Sequence, residues 1–198
     1  RASMTRREFQ LDAMAAGAPY RLLTALVVPR PIAWVSTLDR DGRANLAPHS
    51  FFTVASGNPP IVQFTSVGRK DSLNNIEATG EFVVNLASRS LLEQMNTTAA
   101  TVAPEVDEFA LASLTKQAST HVRPPRVAES PSALECVLHR VIPVGDSFVV
   151  MGRVVAASVD ESVLDGDRPM EWLLDPLARL SGSRYVTYGE TINLRRPD

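Results

Sequence analysis

Two adjacent runs of alternating apolar residues constrain the fold most. Residues 134–144 and 147–159 both have the pattern of β-strands, and only Gly145 and Asp146 separate them. A glycine-containing pair between two such runs is a strong signal for a tight hairpin turn. The sequence therefore predicts an antiparallel hairpin, which we expect to close a β-barrel.

The first third of the chain shows the same antiparallel pattern. Residues 29–38 are rich in β-branched and aromatic side chains, and the turn residues Asp39 to Gly42 follow them. Residues 45–53 are expected to return beside this strand, and residues 61–65 to form the next one.

Helical signals are short. A helix start at Asp71 or Ser72 leads to a glycine stop at Gly80, a strand is expected at 81–86, and a second helical piece at 91–99.

Two segments lack a clear periodicity of hydrophobic residues. Residues 97–131 contain several prolines and predict an irregular loop with a short helix at 106–114, whereas the basic segment 176–185 predicts a functional loop. As a whole, the sequence predicts one mainly β domain over residues 1–198, with a C-terminal tail at 176–198.

Composition and charge limit the function classes. The chain has 198 residues, a net charge of −2 and one cysteine, Cys136, which we expect in the core. This charge would not attract a nucleic acid, and the apolar runs are far shorter than the ~20 residues of a membrane-spanning helix. A lone cysteine forms no intramolecular disulfide, so a cytoplasmic location is expected. Residues 1–3, before Met4, are interpreted as an expression remnant.

Familiar catalytic motifs are missing from the sequence. It has no Gly-x-Ser-x-Gly elbow, no glycine-rich dinucleotide fingerprint and no Walker-type phosphate loop. The histidines His49, His121 and His139 are too scattered for a metal site. A nicotinamide or a phosphate must therefore be bound in another way.

The start of the predicted helix is a candidate anion site. Free backbone N–H groups there, the ammonium of Lys70 and the hydroxyl of Ser72 could together hold a phosphate. The alternative is an ordinary helix start beside an exposed lysine, which the negative charge of Asp71 favours.

Residues 45–52 mix polar and apolar side chains where a strand would alternate, and Pro48 removes a ladder hydrogen bond. Either a flat heterocycle lies against this segment, or the segment is an irregular edge strand. Trp34 and Tyr185 could stack on a ring, although a tryptophan in a strand is more often a core residue. Arg30 and Arg179 could contact a phosphate or a carbonyl, or be solvated.

Several motifs, in this order and spacing, resemble the flavin reductase-like, FMN-binding family. They are Arg30-Pro31-Ile32-Ala33-Trp34-Val35-Ser36-Thr37, Asp41-Gly42, Asn45-Leu46-Ala47-Pro48, Ser50-Phe51-Phe52, Pro59-Pro60, Lys70-Asp71-Ser72 and Thr79-Gly80-Glu81-Phe82-Val83-Val84-Asn85. The resemblance implies a split β-barrel of antiparallel strands with Greek-key connections, and a homodimer with noncovalent FMN near its interface.

The resemblance also implies a set of cofactor-binding residues. Residues 47–51 would line the flavin ring, and Lys70 and Ser72 would hold the phosphate. The full set comprises Trp34, Ser36, Thr37, Asn45, Ala47, Pro48, His49, Ser50, Phe51, Lys70, Asp71, Ser72, Arg179 and Tyr185. Ala47 and His49 depart from the threonine and serine of many family members, so polar contacts to the ring are expected to differ.

The implied activity is the transfer of electrons from a transient NAD(P)H through FMN to free flavin, a partner oxygenase or another acceptor. No catalytic side chain is required, because the protein chiefly positions the reactants. Two alternatives remain open: an FMN-binding electron carrier without nicotinamide turnover, and a barrel that has lost its flavin.

Overall fold

A computed structural model describes residues 5–197 of the chain, so residues 1–3 and their interpretation as a remnant lie outside the described residues. The strands are β1 (Arg30–Pro31), β2 (Ala33–Leu38), β3 (Ala44–His49), β4 (Phe52–Gly57), β5 (Pro60–Val67), β6 (Glu81–Leu86), β7 (Lys116–Gln117), β8 (Arg126–Val127), β9 (Ser132–Val144), β10 (Ser147–Val159), β11 (Leu164–Asp165), β12 (Arg168–Pro169), β13 (Ala178–Arg179) and β14 (Tyr185–Val186). The α-helices are α1 (Ala18–Leu26), α2 (Asp71–Thr79), α3 (Leu92–Thr97), α4 (Glu108–Leu111) and α5 (Glu171–Leu174), and 3-10 turns occur at Leu11–Ala13, Arg89–Leu91 and Glu161–Val163.

The central sheet must be curled. It has seven strands in the order β3-β2-β6-β9-β10-β5-β4, and every neighbouring pair is antiparallel. Its two edge strands, β3 and β4, are consecutive in the chain and are joined by Ser50 and Phe51 alone. In a flat sheet these edges would be about 29 Å apart, whereas three Cα steps span at most about 11 Å. The sheet therefore closes into a barrel with a seam between β3 and β4.

The connections between strands are those of a Greek key. β2–β3, β4–β5 and β9–β10 are hairpins, whereas β5 reaches β6 past the intervening strands β10 and β9. A long return after hairpin-linked strands defines this topology. The predicted split antiparallel barrel is confirmed, and so is the hairpin turn at Gly145, whose φ of 58° requires a residue that tolerates the left-handed region.

One expectation about the first third of the chain is wrong in its extent. Residues 45–53 do not form one return segment, because β3 ends at His49 and β4 begins at Phe52 on the opposite edge of the sheet. The break lies just after Pro48, which removes a ladder hydrogen bond as the sequence indicated. The predicted helix from residue 71 to Gly80 and the predicted strands at 61–65 and 81–86 are confirmed.

Strand β2 is buried on both faces. Its inward residues Ala33 and Val35 belong to the barrel interior, which also contains Cys136, as expected. Its outward residue Trp34 packs under the covering helices, against residues such as Met95. Two core layers therefore meet at this strand, and α2 closes the interior at one end with Leu73 and Ile76.

The barrel interior is tightly packed at Gly152 of β10, which lies opposite a bulge in β9. A Cβ atom on Gly152 would lie 2.3 Å from Cζ of Phe82 and 3.0 Å from Cβ of Cys136. Only a residue without a side chain fits this approach, and the strand register shifts at the same point.

The C-terminal tail is more ordered than the sequence predicted. Instead of a plain loop, residues 176–185 contribute to a three-stranded sheet in which β13 lies between β1 and β14. The strand that pairs with β13, β1, lies far upstream in the sequence. The local hydrophobic pattern therefore carried no signal for this pairing. No helix within residues 5–197 is both long enough and apolar enough to cross a membrane.

Candidate functional site

Two grooves meet at Pro48 and Ala99, which line both of them. We call the first, of about 510 Å³, the Lys70 groove; it is lined by Asn45, Ala47, Pro48, His49, Arg69, Lys70, Asp71, Ser72, Thr98, Ala99, Ala100, Thr101, Val102, Pro104 and Glu108. We call the second, of about 550 Å³, the Arg179 groove; it is lined by Tyr20, Arg21, Thr24, Arg30, Ile32, Pro48, Ser50, Met95, Asn96, Ala99, Arg179, Leu180, Ser181, Gly182 and Tyr185. Both volumes are typical of small-molecule sites.

The start of α2 forms one end of the Lys70 groove. Lys70 is the N-cap residue and its side chain makes no capping hydrogen bond. The N–H groups of the first turn of any α-helix lack an intrahelical acceptor, and here no N-cap side chain supplies one. These groups also carry the positive end of the helix dipole. Arg69 is paired with Glu77 at 2.7 Å, which leaves Lys70 as the neighbouring cation at this end. The arrangement suits an anion.

A buried carboxylate positions the polar side chains beside this helix start. Asn45 Nδ2 donates to Glu108 Oε1 at 2.7 Å, and Ser72 Oγ donates to Asn45 Oδ1 at 3.1 Å. Glu108 Oε2 also accepts from the backbone N–H of Leu46 at 3.3 Å. Burial raises the pKa of Glu108, although the Leu46 hydrogen bond opposes the rise. The network fixes Ser72 next to the helix N-terminus.

His49 lines the Lys70 groove and carries an unsatisfied polar atom. It is 7% exposed, and its Nε2 is buried with no hydrogen-bond partner within residues 5–197. Burial, followed by the charge of Lys70, lowers the pKa of the imidazole to about 3. The ring is therefore neutral near pH 7 and packs on Phe64, with 4.6 Å between ring centroids. A buried polar atom without a partner is a ready hydrogen-bonding point for a ligand.

Three predicted cofactor residues on β2 lie outside both grooves. Trp34, Ser36 and Thr37 are each 0% exposed. Ser36 accepts from Asn85 Nδ2 at 3.2 Å, and Thr37 accepts from Asn75 Nδ2 at 3.0 Å. Contrary to expectation, these side chains contact the protein interior, because β2 is covered on both faces.

Trp34 nevertheless supports the site indirectly. Its Nε1 donates to Thr98 Oγ1 at 2.9 Å, and Thr98 lines the Lys70 groove. The hydroxyl of Thr98 in turn donates to the carbonyl of Met95 at 2.7 Å. The indole thus anchors the first residue of the loop 98–104, which forms the outer wall of the groove.

The other predicted residues divide between the grooves. Asn45, Ala47, Pro48, His49, Lys70, Asp71 and Ser72 line the Lys70 groove, whereas Pro48, Ser50, Arg179 and Tyr185 line the Arg179 groove. Phe51 lines a third, apolar groove of about 430 Å³ instead.

Sequence reasoning missed several lining residues. Glu108 and the loop 98–104 lie in the segment without clear periodicity, and Tyr20 and Arg21 lie on α1, for which no element was predicted. Asp107, an N-cap residue that accepts from the N–H of Phe109, marks the start of the helix carrying Glu108. The sequence did predict a short helix at 106–114, and α4 falls within it, but the contact of Glu108 with Asn45 left no local signal.

No group of three or more metal-ligating side chains occurs within residues 5–197. The site offers a helix-terminus anion cradle, a neutral imidazole and two adjoining grooves on the surface of a split barrel. These features define a small-molecule-binding protein of the split-barrel class.

Comparison with known proteins gives the family. The family described as flavin reductase like domain matches residues 25–179, and the chain belongs to it. The structure of nitrilotriacetate monooxygenase component B from Bacillus cereus is similar, with a TM-score of 0.93 and 34% identity over 97% of this chain and 100% of that one.

Two further relatives carry functional names. The 2-nitrobenzoate 2-nitroreductase of Pseudomonas fluorescens has a TM-score of 0.90 and 29% identity, covering 96% of each chain. A flavin reductase of Pseudomonas putida is 29% identical over 133 residues, which are 67% of this chain and 74% of that protein. The family and these neighbours indicate a flavin-related oxidoreductase.

Proposed function

We propose that the protein binds FMN noncovalently, with the phosphate at the start of α2 in the Lys70 groove and the ring against Pro48. The observation that carries this proposal is an uncapped helix N-terminus in a groove that is also lined by His49, whose buried Nε2 has no partner among the described residues. The first suits a phosphate, and the second suits a polar edge of a heterocycle.

The residues of the Lys70 groove fit such a ligand. The backbone N–H groups of Asp71 and Ser72, together with the ammonium of Lys70, would hold the phosphate. A bound phosphate would also compete with Asn45 Oδ1 for the Ser72 hydroxyl proton. Asp71 and Glu108 place negative charge in the same groove, so the N–H donors matter more here than the net charge of the side chains.

We further propose that the protein is an NAD(P)H-dependent flavin reductase. Bound FMN would supply the chemistry that moves electrons from a nicotinamide to free flavin or another acceptor. The protein's part is to position the reactants: Pro48 and Ala99 separate the two grooves, and the neutral His49 provides a fixed hydrogen-bonding atom. The names of the similar proteins, a monooxygenase component and a nitroreductase, support an oxygenase partner or a small-molecule acceptor.

A homodimer is also part of this proposal. Leu26 at the end of α1 and the following Val27 are exposed (70% and 61%), and β4 exposes Val54 (70%). Val27 also lines the apolar groove at Phe51, which shares Arg30 with the Arg179 groove. We infer that the exposed side chains and this groove form one apolar face. Faces of this kind mark interaction sites, and a second copy would bury it beside the flavin. Sedimentation of the wild type and of Val54→Lys would show a dimer and a weakened dimer, whereas a wild-type monomer would refute this element.

The test of the proposed function is a visible absorption spectrum of the protein with FMN, followed by anaerobic addition of NADH and then NADPH. Flavin bands near ~370 and ~450 nm that bleach on addition are expected and would identify the reductant. Bands that persist would favour the electron carrier. Protein that takes up no FMN at all would overturn the proposal.

A further inference from the structure

The Arg179 groove has an unusual charge. Three arginines line it, Arg21, Arg30 and Arg179, and no aspartate or glutamate does. None of the ion pairs formed within residues 5–197 involves these three side chains. Buried or clustered cations in proteins are ordinarily paired with carboxylates, so this groove has a local excess of positive charge.

Arg30 is a buried cation whose hydrogen bonds within the described residues all go to backbone carbonyls, and its guanidinium lies 5.8 Å from the centroid of the Phe51 ring. It is 7% exposed; Nη1 donates to the carbonyls of Thr24 at 2.6 Å and Val27 at 2.9 Å, and Nη2 donates to that of Leu180 at 3.2 Å. Its Nε has no partner among the described residues. The guanidinium is therefore fixed in place, and its charge is not neutralised by the chain.

Arg179 lies directly opposite Arg30. The two residues are Cα partners in the antiparallel pairing of β1 with β13. Like charges directly opposite each other on paired strands are destabilising. Consistent with this closeness, burial and then the charge of Arg179 lower the pKa of Arg30, while Tyr20 opposes them.

The conformation of Arg179 is also fixed. Its guanidinium lies 4.5 Å from the centroid of the Tyr185 ring, and Nη2 donates to the carbonyl of Gly182 at 2.6 Å. A cation–π contact and a backbone hydrogen bond thus hold the second cation beside the first. An oxyanion between them would relieve the repulsion and form charge-assisted hydrogen bonds.

We propose that the Arg179 groove binds a second ligand, a small ring-bearing anion whose carboxylate or phosphate is held by Arg179 together with Arg21 and the field of Arg30. Apolar and aromatic walls, provided by Tyr20, Ile32 and Met95, suit the planar body of such a molecule. Because Pro48 and Ala99 line both grooves, this ligand would lie against the one in the Lys70 groove. The inference rests on the proposed function, for which it defines the class of the exchanging substrate.

Two sources share this chemistry: an aromatic carboxylate that accepts electrons, and the phosphate of the nicotinamide cofactor. Isothermal titration separates them with two matched pairs of probes, benzoate against benzamide and 2′,5′-ADP against adenosine. Each probe is titrated into the protein with and without FMN. The variants are Arg179→Gln, Arg179→Lys and Arg21→Gln, and Arg153→Gln, an exposed arginine of β10 outside both grooves, is the control.

We expect the charged probe of at least one pair to bind more tightly than its partner. Arg179→Gln should weaken that binding about tenfold, the loss expected for one charged hydrogen bond, and Arg21→Gln should weaken it less because Arg21 is exposed. Arg179→Lys should retain most of the affinity, and Arg153→Gln all of it. If Arg179→Gln weakens the binding of benzoate, the ligand is a carboxylate substrate. If it weakens the binding of 2′,5′-ADP alone, the ligand is the nucleotide phosphate.

The proposal is overturned if neither charged probe binds, or if the affinity is the same in the wild type and the Arg179→Gln variant. A separate FMN titration of each variant distinguishes this failure from failure of the proposed function. Uptake of FMN without anion binding refutes only the proposed anion site in the Arg179 groove. Absence of FMN uptake refutes the flavin assignment. If FMN is not taken up, titration of the anionic probes into the FMN-free protein still tests the anion site of the Arg179 groove.

Discussion

The two grooves share a wall but are built from different parts of the chain. The Lys70 groove is formed by barrel strand β3, helix α2 and the loop 98–104, and it mixes positive with negative side chains. The Arg179 groove is closed by α1 and the C-terminal tail, and its charged side chains are all arginines. A site fixed on a barrel suits a resident ligand, whereas walls from the two ends of the chain suit one that exchanges.

The largest expected effect comes from reversing the charge at Lys70. Lys70→Glu should weaken FMN binding about 100-fold, equivalent to about 2.7 kcal/mol, because a carboxylate would repel the phosphate at the helix start. Riboflavin, which lacks the phosphate, should bind both proteins alike. Fluorescence titrations with the two flavins provide the measurement. Equal losses for FMN and riboflavin would place the phosphate elsewhere.

The second effect is a pH dependence of stability that originates at His49. The pKa of this imidazole is about 3 in the folded protein and 6.5 as its ordinary value. Between these values the unfolded chain binds a proton that the folded one does not, so stability is complete above pH 6.5 and falls as the pH falls. The slope reaches about 1.4 kcal/mol per pH unit, or about 2 kcal/mol between pH 6.5 and 5.

Urea unfolding at pH 7.5, 6 and 5 measures this dependence in the wild type and in His49→Gln. The free energy of unfolding of the wild type should fall toward pH 5, and the variant should lose most of that slope. Parallel curves for the two proteins would show that His49 is accessible to protons in the folded state.

The third prediction sharpens the division between the grooves. Arg179→Gln should change FMN affinity less than about threefold while weakening the binding of the anionic probe about tenfold. Lys70→Glu should show the reverse order of effects. Titration of both ligands into both variants tests this. A similar loss of affinity for both ligands in either variant would show that the two grooves form one site.

The smallest effect on binding is expected for Trp34→Phe. The indole touches no groove, so the change should cost about 1–2 kcal/mol of stability through the lost bond to Thr98 and the smaller ring. FMN affinity should change less than about threefold. Urea unfolding and FMN titration measure the two quantities. A large loss of FMN affinity without loss of stability would show that Trp34 belongs to the cofactor site.

Much of the fold was predictable because its signals are local. Alternation over 134–144 and 147–159 with a Gly-Asp turn specified the β9–β10 hairpin, and a stop at Gly80 specified the end of α2. The pairing of β1 with β13 was not predictable, because two-residue strands far apart in sequence leave no periodic pattern. The barrel seam between β3 and β4 likewise depends on the whole sheet.

The candidate site was predictable only in part. The residues of β3 and of the α2 start were found through their motifs, and they do line one groove. Ser36 and Thr37 were misplaced because alternation cannot show that β2 is covered on both faces. Glu108 was missed because its role depends on contact with Asn45, a residue distant in sequence.

The most direct test of the account is a crystal structure of the protein with FMN. The account predicts the phosphate at the N–H groups of Asp71 and Ser72, within reach of the Lys70 ammonium, with the ring against Pro48 and Arg179 left free for a second ligand. A phosphate held by Arg30 and Arg179 instead would contradict it.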